Sequence, residues 1–437
     1  MNVFSNTPKS TYLRSYFCTG KEIGKNFGWL FIGNFGSLAL GFISTLYLAR
    51  VLGQAAFGKF SYAQTLAIYG ALLVDLGLNV YGNRSVANSP KHAGRYLINI
   101  GSVQVFTGIL LIIVVATVVH TFNLWSDSEL QAIVVNSFVW VLPFALNIEW
   151  FFLGLQRMKV VATGRLIQQS MVIVIAYLLV KDPGQVVYAP FARVAGGIAS
   201  ALWLLFQLPK EIFQNVRIHL LEATSYLRSS KWFWFSAFLI QVYNGIDIVI
   251  LQLFRTASEV GLYSASFRLI GLFVAAISVL NMAMFPMLAA EYGKNEVMFG
   301  KLLKLHLLSA LGIAFLLLVV ALPTVSLLVN ISYGSQYLGS VSFLRILIIA
   351  ASVLTLNGAI SQPLLASGHE AAVFKQILLT ALLNVVLNLI LIPHFGAYGA
   401  ALTYLISVIF ATAWLLPIYY KRMGSYWLLP LSGTKQI

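Results

Sequence analysis

Charge is scarce in this chain. Only 9% of its 437 residues are charged and 13 are acidic, against 59% hydrophobic and a mean hydropathy of +0.85. Soluble domains carry about 25% charged residues and under half apolar ones, so a water-soluble globule is excluded and lipid is the expected solvent. Cysteine is nearly missing too. Cys18 stands alone, which excludes an internal disulfide and a cysteine metal cage; it reads as an inert thiol of the N-terminal tail. That tail, MNVFSNTPKSTYLRSYFCTGKEIGK, is polar and basic and lacks the apolar core and small-residue site of a cleavable signal. No His, Asp or Glu cluster has metal-ligand spacing, so no cofactor is expected. A Walker A loop, a nucleophile elbow and paired catalytic carboxylates are all missing, which excludes an internal ATPase and any recognisable enzyme. The net charge of +15 is not gathered into an aromatic-interleaved basic domain, so no nucleic-acid partner is expected.

What is present is apolar sequence in long runs. A membrane span needs about 20 mostly apolar residues, and twelve runs qualify: roughly 26–49, 60–82, 97–120, 131–155, 166–180, 186–208, 232–254, 260–290, 305–329, 341–366, 376–393 and 398–420. The fifth is short and should extend toward Val160; the eighth is long enough to tilt or overrun the membrane surface.

Lys and Arg in the connections set orientation. With twelve spans, 21 of the 28 cations fall on the side of both termini, and only Arg50, Lys59, Lys181 and Arg255 fall opposite. The expectation is a multi-pass membrane protein with both termini cytoplasmic.

The chain also looks duplicated. VLGQAAFGKFSYAQTL (Val51 to Leu66) aligns with FRTASEVGLYSASFRL (Phe254 to Leu269) at an offset of 203, sharing Gly58/Gly261, Ser61/Ser264 and Leu66/Leu269. The longest internal polar link, Pro209 to Lys231, falls where that offset puts the seam, and Trp232 and Trp234 beyond it read as interfacial anchors. Six spans per half give a parallel repeat, as in several transporter folds. The fold class expected is an all-α polytopic membrane protein, with twelve transmembrane helices in two parallel six-helix lobes around a central cavity. Its domains are 1–209, a cytoplasmic linker 210–230, and 231–437.

Six ionisable residues interrupt the runs: Asp75, Glu149, Arg193, Asp247, Arg268 and Arg345. Facing lipid at mid-bilayer, each would cost about 2.5–3.5 kcal/mol, so they should face a wet cavity, one another, or a headgroup. Polar residues accompany them at helical phase: Ser61, Gln64 and Asn79 with Asp75; Gln241 and Asn244 with Asp247; Ser264 and Ser278 with Arg268. Gln376, Thr380, Asn384 and Asn388 step by four toward the same cavity, and Gly33, Ser37, Gly41 and Ser44 allow close packing or a smooth wall. Arg345 and Glu149 lie near span ends, where snorkelling competes with a cavity role, and Asp75 could simply pair with a cation on a neighbouring helix. His120 and His306 read as interfacial residues.

LARVLGQAAFGKFSYAQTLAIYGALLVDLGLNVYGNRSVA (Leu48 to Ala87) resembles the opening block of Wzx-type polysaccharide (O-antigen) flippases of the multidrug/oligosaccharidyl-lipid/polysaccharide (MOP) exporter superfamily. Their A-R-x-L-G, F-G, D-x-G-L and late R fall on Ala49, Arg50, Leu52, Gly53, Phe57, Gly58, Asp75, Gly77, Leu78 and Arg84. NIEWFFLGLQRMKVVA (Asn147 to Ala162) is similar to the family's W-x-F-Q-G segment, departing from it with Leu153. LIPHFGAYGAALTYLIS (Leu391 to Ser407) is similar to its F-G-x-x-G-A-A lead into the last span.

The resemblance implies movement of an undecaprenyl-diphosphate-linked oligosaccharide from the cytoplasmic to the outer leaflet. Arg193, Arg268, Arg345, Asn244 and Gln64 are then expected at the diphosphate and sugars, since the guanidinium fork suits phosphate. Asp75, Glu149 and Asp247 are expected to couple transport to H⁺ or Na⁺. Membrane lipids, a polysaccharide polymerase and a chain-length regulator are the other implied partners. Alternatives within the superfamily are a multidrug cation antiporter, disfavoured by three intramembrane arginines, and a lipid II flippase, which usually has fourteen spans. A major-facilitator transporter would carry a G-x-x-x-D-R-x-G-R-R signature that NRSVANSPKHAGR lacks, and a polymerase enzyme would need a large outer loop.

Overall fold

The computed structural model describes residues 20–209, 212 and 220–427; Cys18 and residues 210–211 and 213–219 of the expected linker lie outside them. In chain order the helices are α1 (Gly20–Asp75), α2 (Leu78–Asn88), α3 (Ala93–Phe122), α4 (Ser128–Val139), α5 (Val141–Ala145), α6 (Glu149–Gly154), α7 (Met158–Leu179) and α8 (Ala189–Phe206). They continue with α9 (Leu220–Phe254), α10 (Ala257–Glu291), α11 (Glu296–Leu316), α12 (Val325–Tyr333), α13 (Val341–Ala366), α14 (Glu370–Phe395) and α15 (Ala397–Trp427). No strand occurs among the described residues. Lipid offers backbone N–H and C=O groups no partner, so apolar runs of this length satisfy them within helices.

Among the described residues, eleven helices are long and apolar enough to cross a membrane. The first, Gly24–Asp75, holds two of the twelve expected runs. At 1.5 Å per residue its 52 residues would reach about 78 Å, over twice a hydrocarbon core of about 30 Å. It is broken at Gly53, whose φ of 71° and ψ of 178° leave the helical region. The same break recurs 203 residues later: α9 ends at Phe254 and Thr256 caps α10, its Oγ1 accepting from Glu259 N at 3.4 Å. The fourth expected run is three short helices, α4 to α6. The fifth does start early, at Met158.

The chain divides into two compact units. One comprises the described residues of Met1–Leu52 and Ala63–Phe238, the other Gly53–Tyr62 with those of Leu239–Ile437.

In the first unit, the small residues of α1 serve close packing. A Cβ on Gly33 would lie 2.7 Å from Ala162 Cα, and one on Gly36 would lie 2.6 Å from Leu166 Cδ2. The D-x-G-L motif is a second helix break. Leu76 and Gly77 take φ of 47° and 76°, and a Cβ on Gly77 would come within 2.7 Å of Ser230 O and Trp234 N. The carbonyls freed there are satisfied by side chains: Ser230 Oγ donates to Leu76 O at 2.8 Å and Trp234 Nε1 to Leu72 O at 2.9 Å. Trp234 therefore serves the helix break. Leu153, the departure from W-x-F-Q-G, packs against a buried apolar cluster that includes Trp150, Phe151 and Phe152.

In the second unit, segment 53–62 is held by the repeat motif itself. A Cβ on Gly58 would stand 1.8 Å from Ala257 O, and one on Gly261 would stand 1.9 Å from Gln54 O. Gln54 and Ala257 are 203 apart, as are the two glycines, so the contact is reciprocal. Ser258 Oγ donates to Gln54 Oε1 at 2.6 Å, and Gln54 Nε2 donates to Gln336 O. The F-G-x-x-G-A-A lead is a tight turn. Arg255 Nη2 donates to Pro393 O at 2.9 Å at the end of α14, and Ala397 N donates to Glu259 Oε1 at 2.7 Å at the start of α15. Gly396, with φ of 57°, has no room for a Cβ beside that carboxylate.

The stripe on α14 is not a cavity wall. Gln376, Thr380, Asn384 and Asn388 are all buried. Gln376 Nε2 donates to Thr380 Oγ1 at 3.2 Å, Asn388 Nδ2 to Asn384 Oδ1 at 3.0 Å, and Asn384 Nδ2 to Ser407 Oγ of α15 at 3.2 Å. Their period of four suits helix–helix hydrogen bonding as well as a cavity face, and packing takes the first use.

Candidate functional site

Each unit places one intramembrane arginine against aromatic rings. In the first unit, Arg193 on α8 holds its guanidinium carbon 3.8 Å from the centroid of the Trp140 ring, which packs on Phe144. Gly196 and Gly197, a turn further on, let α8 close on α7 and α5: a Cβ on Gly196 would lie 2.6 Å from Gln168 O, and one on Gly197 2.9 Å from Pro143 Cβ. Gln64, Ala67, Ser137 and Pro190 complete a cavity of about 10 Å³ with Trp140 and Arg193, room for about one water. Two of the expected substrate residues, Gln64 and Arg193, thus meet. Both are half-buried.

In the second unit, Arg268 on α10 stands 5.4 Å from the centroid of Phe57, the aromatic of the F-G motif. Tyr337 meets Phe57 edge-on at 6.3 Å and packs on Tyr333 at 5.3 Å. Tyr333 Oη donates to Ala265 O at 3.1 Å, tying the cluster to α10. A guanidinium over a desolvated ring gains about 2 kcal/mol, which offsets part of its burial cost. Tyr333 and Tyr337 carry no signal in sequence. They lie beside Gly334, at φ 90°, and join the ring next to Arg268 only through the fold.

Asp247 on α9 is 4% exposed. Tyr263 Oη donates to its Oδ2 and Ile248 N to its Oδ1 at 2.8 Å. Phe267 stacks on Tyr263, and Tyr404 meets both Phe267 and Tyr243 at 5.6 Å. No ion pair to Asp247 occurs among the described residues.

The other carboxylates are engaged differently. Asp75 accepts from Gly77 N and Asn79 N, both at 3.1 Å, so it caps α2 at the break. Gln104 Nε2, 3.4 Å from Asp75 Oδ1, also donates to Asn79 Oδ1 at 3.1 Å. Glu149 opens α6 and forms an ion pair with Arg165, whose Nε donates to its Oε1 at 3.0 Å and whose Nη1 reaches Asn34.

Asn244 is exposed, its Nδ2 donating to Ile240 O at 2.9 Å, and Arg345 is exposed near the start of α13. Among the described residues neither lines the Arg193 cavity or packs on the Phe57 ring beside Arg268. His306, expected at an interface, is fully buried with Nε2 3.1 Å from Asn281 Oδ1.

Residues 23–291 match the family described as "Polysaccharide biosynthesis protein". The "Putative O-antigen transporter" of Escherichia coli (strain K12) is 24% identical over 376 residues, covering 85% of this chain and 90% of its own. "Probable low-salt glycan biosynthesis flippase Agl15" of Haloferax volcanii is 22% identical over 387 residues, covering 86% and 79%. Among solved structures, lipid II flippase MurJ in an inward closed conformation aligns over 91% of this chain and 90% of its own, with a TM-score of 0.69 at 15% identity. An inward-facing multidrug resistance MATE family transporter of the MOP superfamily aligns over 89% and 98%, with a TM-score of 0.62 at 14% identity. These likenesses show a shared fold. On the match across residues 23–291, the chain belongs to the polysaccharide biosynthesis protein family.

Proposed function

We propose that this protein is a flippase for undecaprenyl-diphosphate-linked oligosaccharide units, of O-antigen or a related surface polysaccharide, moved from the cytoplasmic to the outer leaflet of the inner membrane. Family membership and the names of the relatives support the class; they are called transporters and flippases, not enzymes. The observation that carries the substrate is the pair of ring-backed arginines, Arg193 and Arg268, within apolar helices. A diphosphate in a dry setting needs cations with several donors, and the guanidinium fork supplies them. A cation antiporter would be poorly served by fixed positive charge. The MurJ likeness keeps a lipid II substrate as the second reading, since that ligand also carries a diphosphate on a prenyl chain.

Coupling to H⁺ or Na⁺ falls to Asp247 in this proposal. A carboxylate buried beside one hydroxyl and one N–H is neutralised by a proton or a bound cation. A downstream polymerase and a chain-length regulator would draw product away.

The test is complementation of a flippase-deficient strain, scored by surface polysaccharide alongside expression. Arg268→Lys keeps charge but loses the fork and should retain part of the activity; Arg268→Ala and Arg193→Ala should lower it by roughly 100-fold, the loss of a charge-assisted contact worth about 3 kcal/mol. Full polysaccharide from both alanine variants would make these arginines structural. Rescue of lipid II export by the unmodified protein, without rescue of surface polysaccharide, would favour the second reading.

A further inference from the structure

The second unit carries a cleft separate from the arginine cluster. It measures about 470 Å³ and is lined by Ser278, Asn281, Met282 and Phe285 of α10 and Gln362 of α13. That volume suits a small ligand. Ser278 is exposed, and Asn281 and Gln362 are half-buried, on helices that cross the membrane; polar side chains so placed face water or a polar ligand, not acyl chains. No charged side chain lines the cleft, so it offers a diphosphate nothing. It offers hydroxyl and amide partners beside an exposed ring and an adaptable thioether.

Asn281 is held in place. Its Oδ1 can only accept, so the His306 nitrogen 3.1 Å away, Nε2, carries the hydrogen of the neutral ring. Nδ1 is then bare, and it is buried without a hydrogen-bond partner. A buried orphan acceptor costs stability, a cost accepted here in fixing one amide. Gly358 fixes the same amide from α13, because a Cβ there would lie 2.6 Å from Asn281 Nδ2 and 2.8 Å from Oδ1.

We propose that this cleft is a glycan subsite, in which Asn281 and Gln362 hydrogen-bond an uncharged sugar of the lipid-linked oligosaccharide, Phe285 and Met282 contact its apolar face, and His306 and Gly358 act as positioning residues. The proposal rests on the flippase reading above. Arg268 lies ten residues before Ser278 on α10, about 15 Å along the helix, so one helix would carry separate contacts for the diphosphate and for a sugar.

The experiment compares two probes on the purified full-length protein: undecaprenyl diphosphate without sugar, and the lipid-linked oligosaccharide extracted from cells lacking this flippase. The unmodified protein should bind the sugar-bearing lipid at least about tenfold tighter, equivalent to about 1.4 kcal/mol. Asn281→Ala and Gln362→Ala should each erode that preference while leaving affinity for the bare lipid unchanged; Gln362→Ala, at a half-buried position, covers the case where Asn281→Ala misfolds. His306→Leu should lose the preference, and His306→Gln, which still presents an amide N–H to Asn281, should restore it. A preference that survives in both alanine variants, or that the unmodified protein never shows although both lipids bind, overturns the subsite. Failure of both lipids to bind overturns the flippase reading instead, and the subsite falls with it.

Discussion

Glu149 and Asp247 are both carboxylates within expected spans, yet their surroundings assign them different work. Glu149 is 23% exposed and paired with Arg165, itself 27% exposed. The pair is half-buried, so removing one partner leaves the Arg165 charge partly uncompensated, and Glu149→Gln should lower the melting temperature measurably. Exchanging the two charges, Glu149→Arg with Arg165→Glu, should recover at least half of the surface polysaccharide if the pair is structural. An exchange no more active than a dead Glu149→Gln would make Glu149 an ion carrier. Asp247 has Tyr263 and one backbone N–H. Asp247→Asn preserves an acceptor for Tyr263 but cannot release a proton, so it should fold and transport at least about tenfold more slowly, the effect of losing one charged hydrogen bond. Unchanged transport, measured with the ion gradient intact and then collapsed, would remove Asp247 from coupling.

At the scale of elements, glycines decide where helices break and where they touch. Gly53 and Gly77 break α1 and separate it from α2, while Thr256 does the equivalent work between α9 and α10 with a side-chain cap. α10 has no counterpart to the Asp75–Gly77 break, because Ser278, Val279 and Leu280 supply neither a left-handed residue nor a cap, and the helix continues to Glu291. Gly58 has the opposite use, bringing two backbones together at Gly261. Gly58→Ala should lower stability by about 1–3 kcal/mol through overpacking, read as a drop in thermal midpoint in detergent. Gly101→Ala, where a Cβ meets nothing within 4 Å, should raise it by up to about 1 kcal/mol. Equal midpoints for the two variants would mean that the Gly58–Gly261 contact does not support the fold.

For the whole molecule, the cation asymmetry across the connections predicts sidedness. We expect reporter fusions at Lys91, Asp127, Arg217 and Gln336 to read in, out, in, out; Arg217 lies outside the described residues. Any other order would break the count of twelve spans and the cytoplasmic placement of both termini. The division of the chain after Phe238, with 53–62 joining the second unit, differs from a seam at the polar link 210–230. Hydropathy marks where the chain leaves the membrane, whereas packing follows the glycine contact that carries 53–62 onto α10.

Sequence alone determined the helical class, the approximate extent of the spans, the duplication and the family, because long continuous apolar runs satisfy their backbone in lipid as helices, whereas a barrel needs short alternating segments. It also named Arg193, Arg268 and Asp247 as charges needing an explanation. Tertiary structure decided what answers each of them: Trp140 for Arg193, Phe57 for Arg268, Tyr263 for Asp247. It also turned the polar stripe of α14 into a helix–helix contact and moved His306 from an interface to the back of a cleft. Hydropathy and helical phase are properties of one segment at a time, whereas a hydrogen bond or a ring under a guanidinium depends on which segments meet.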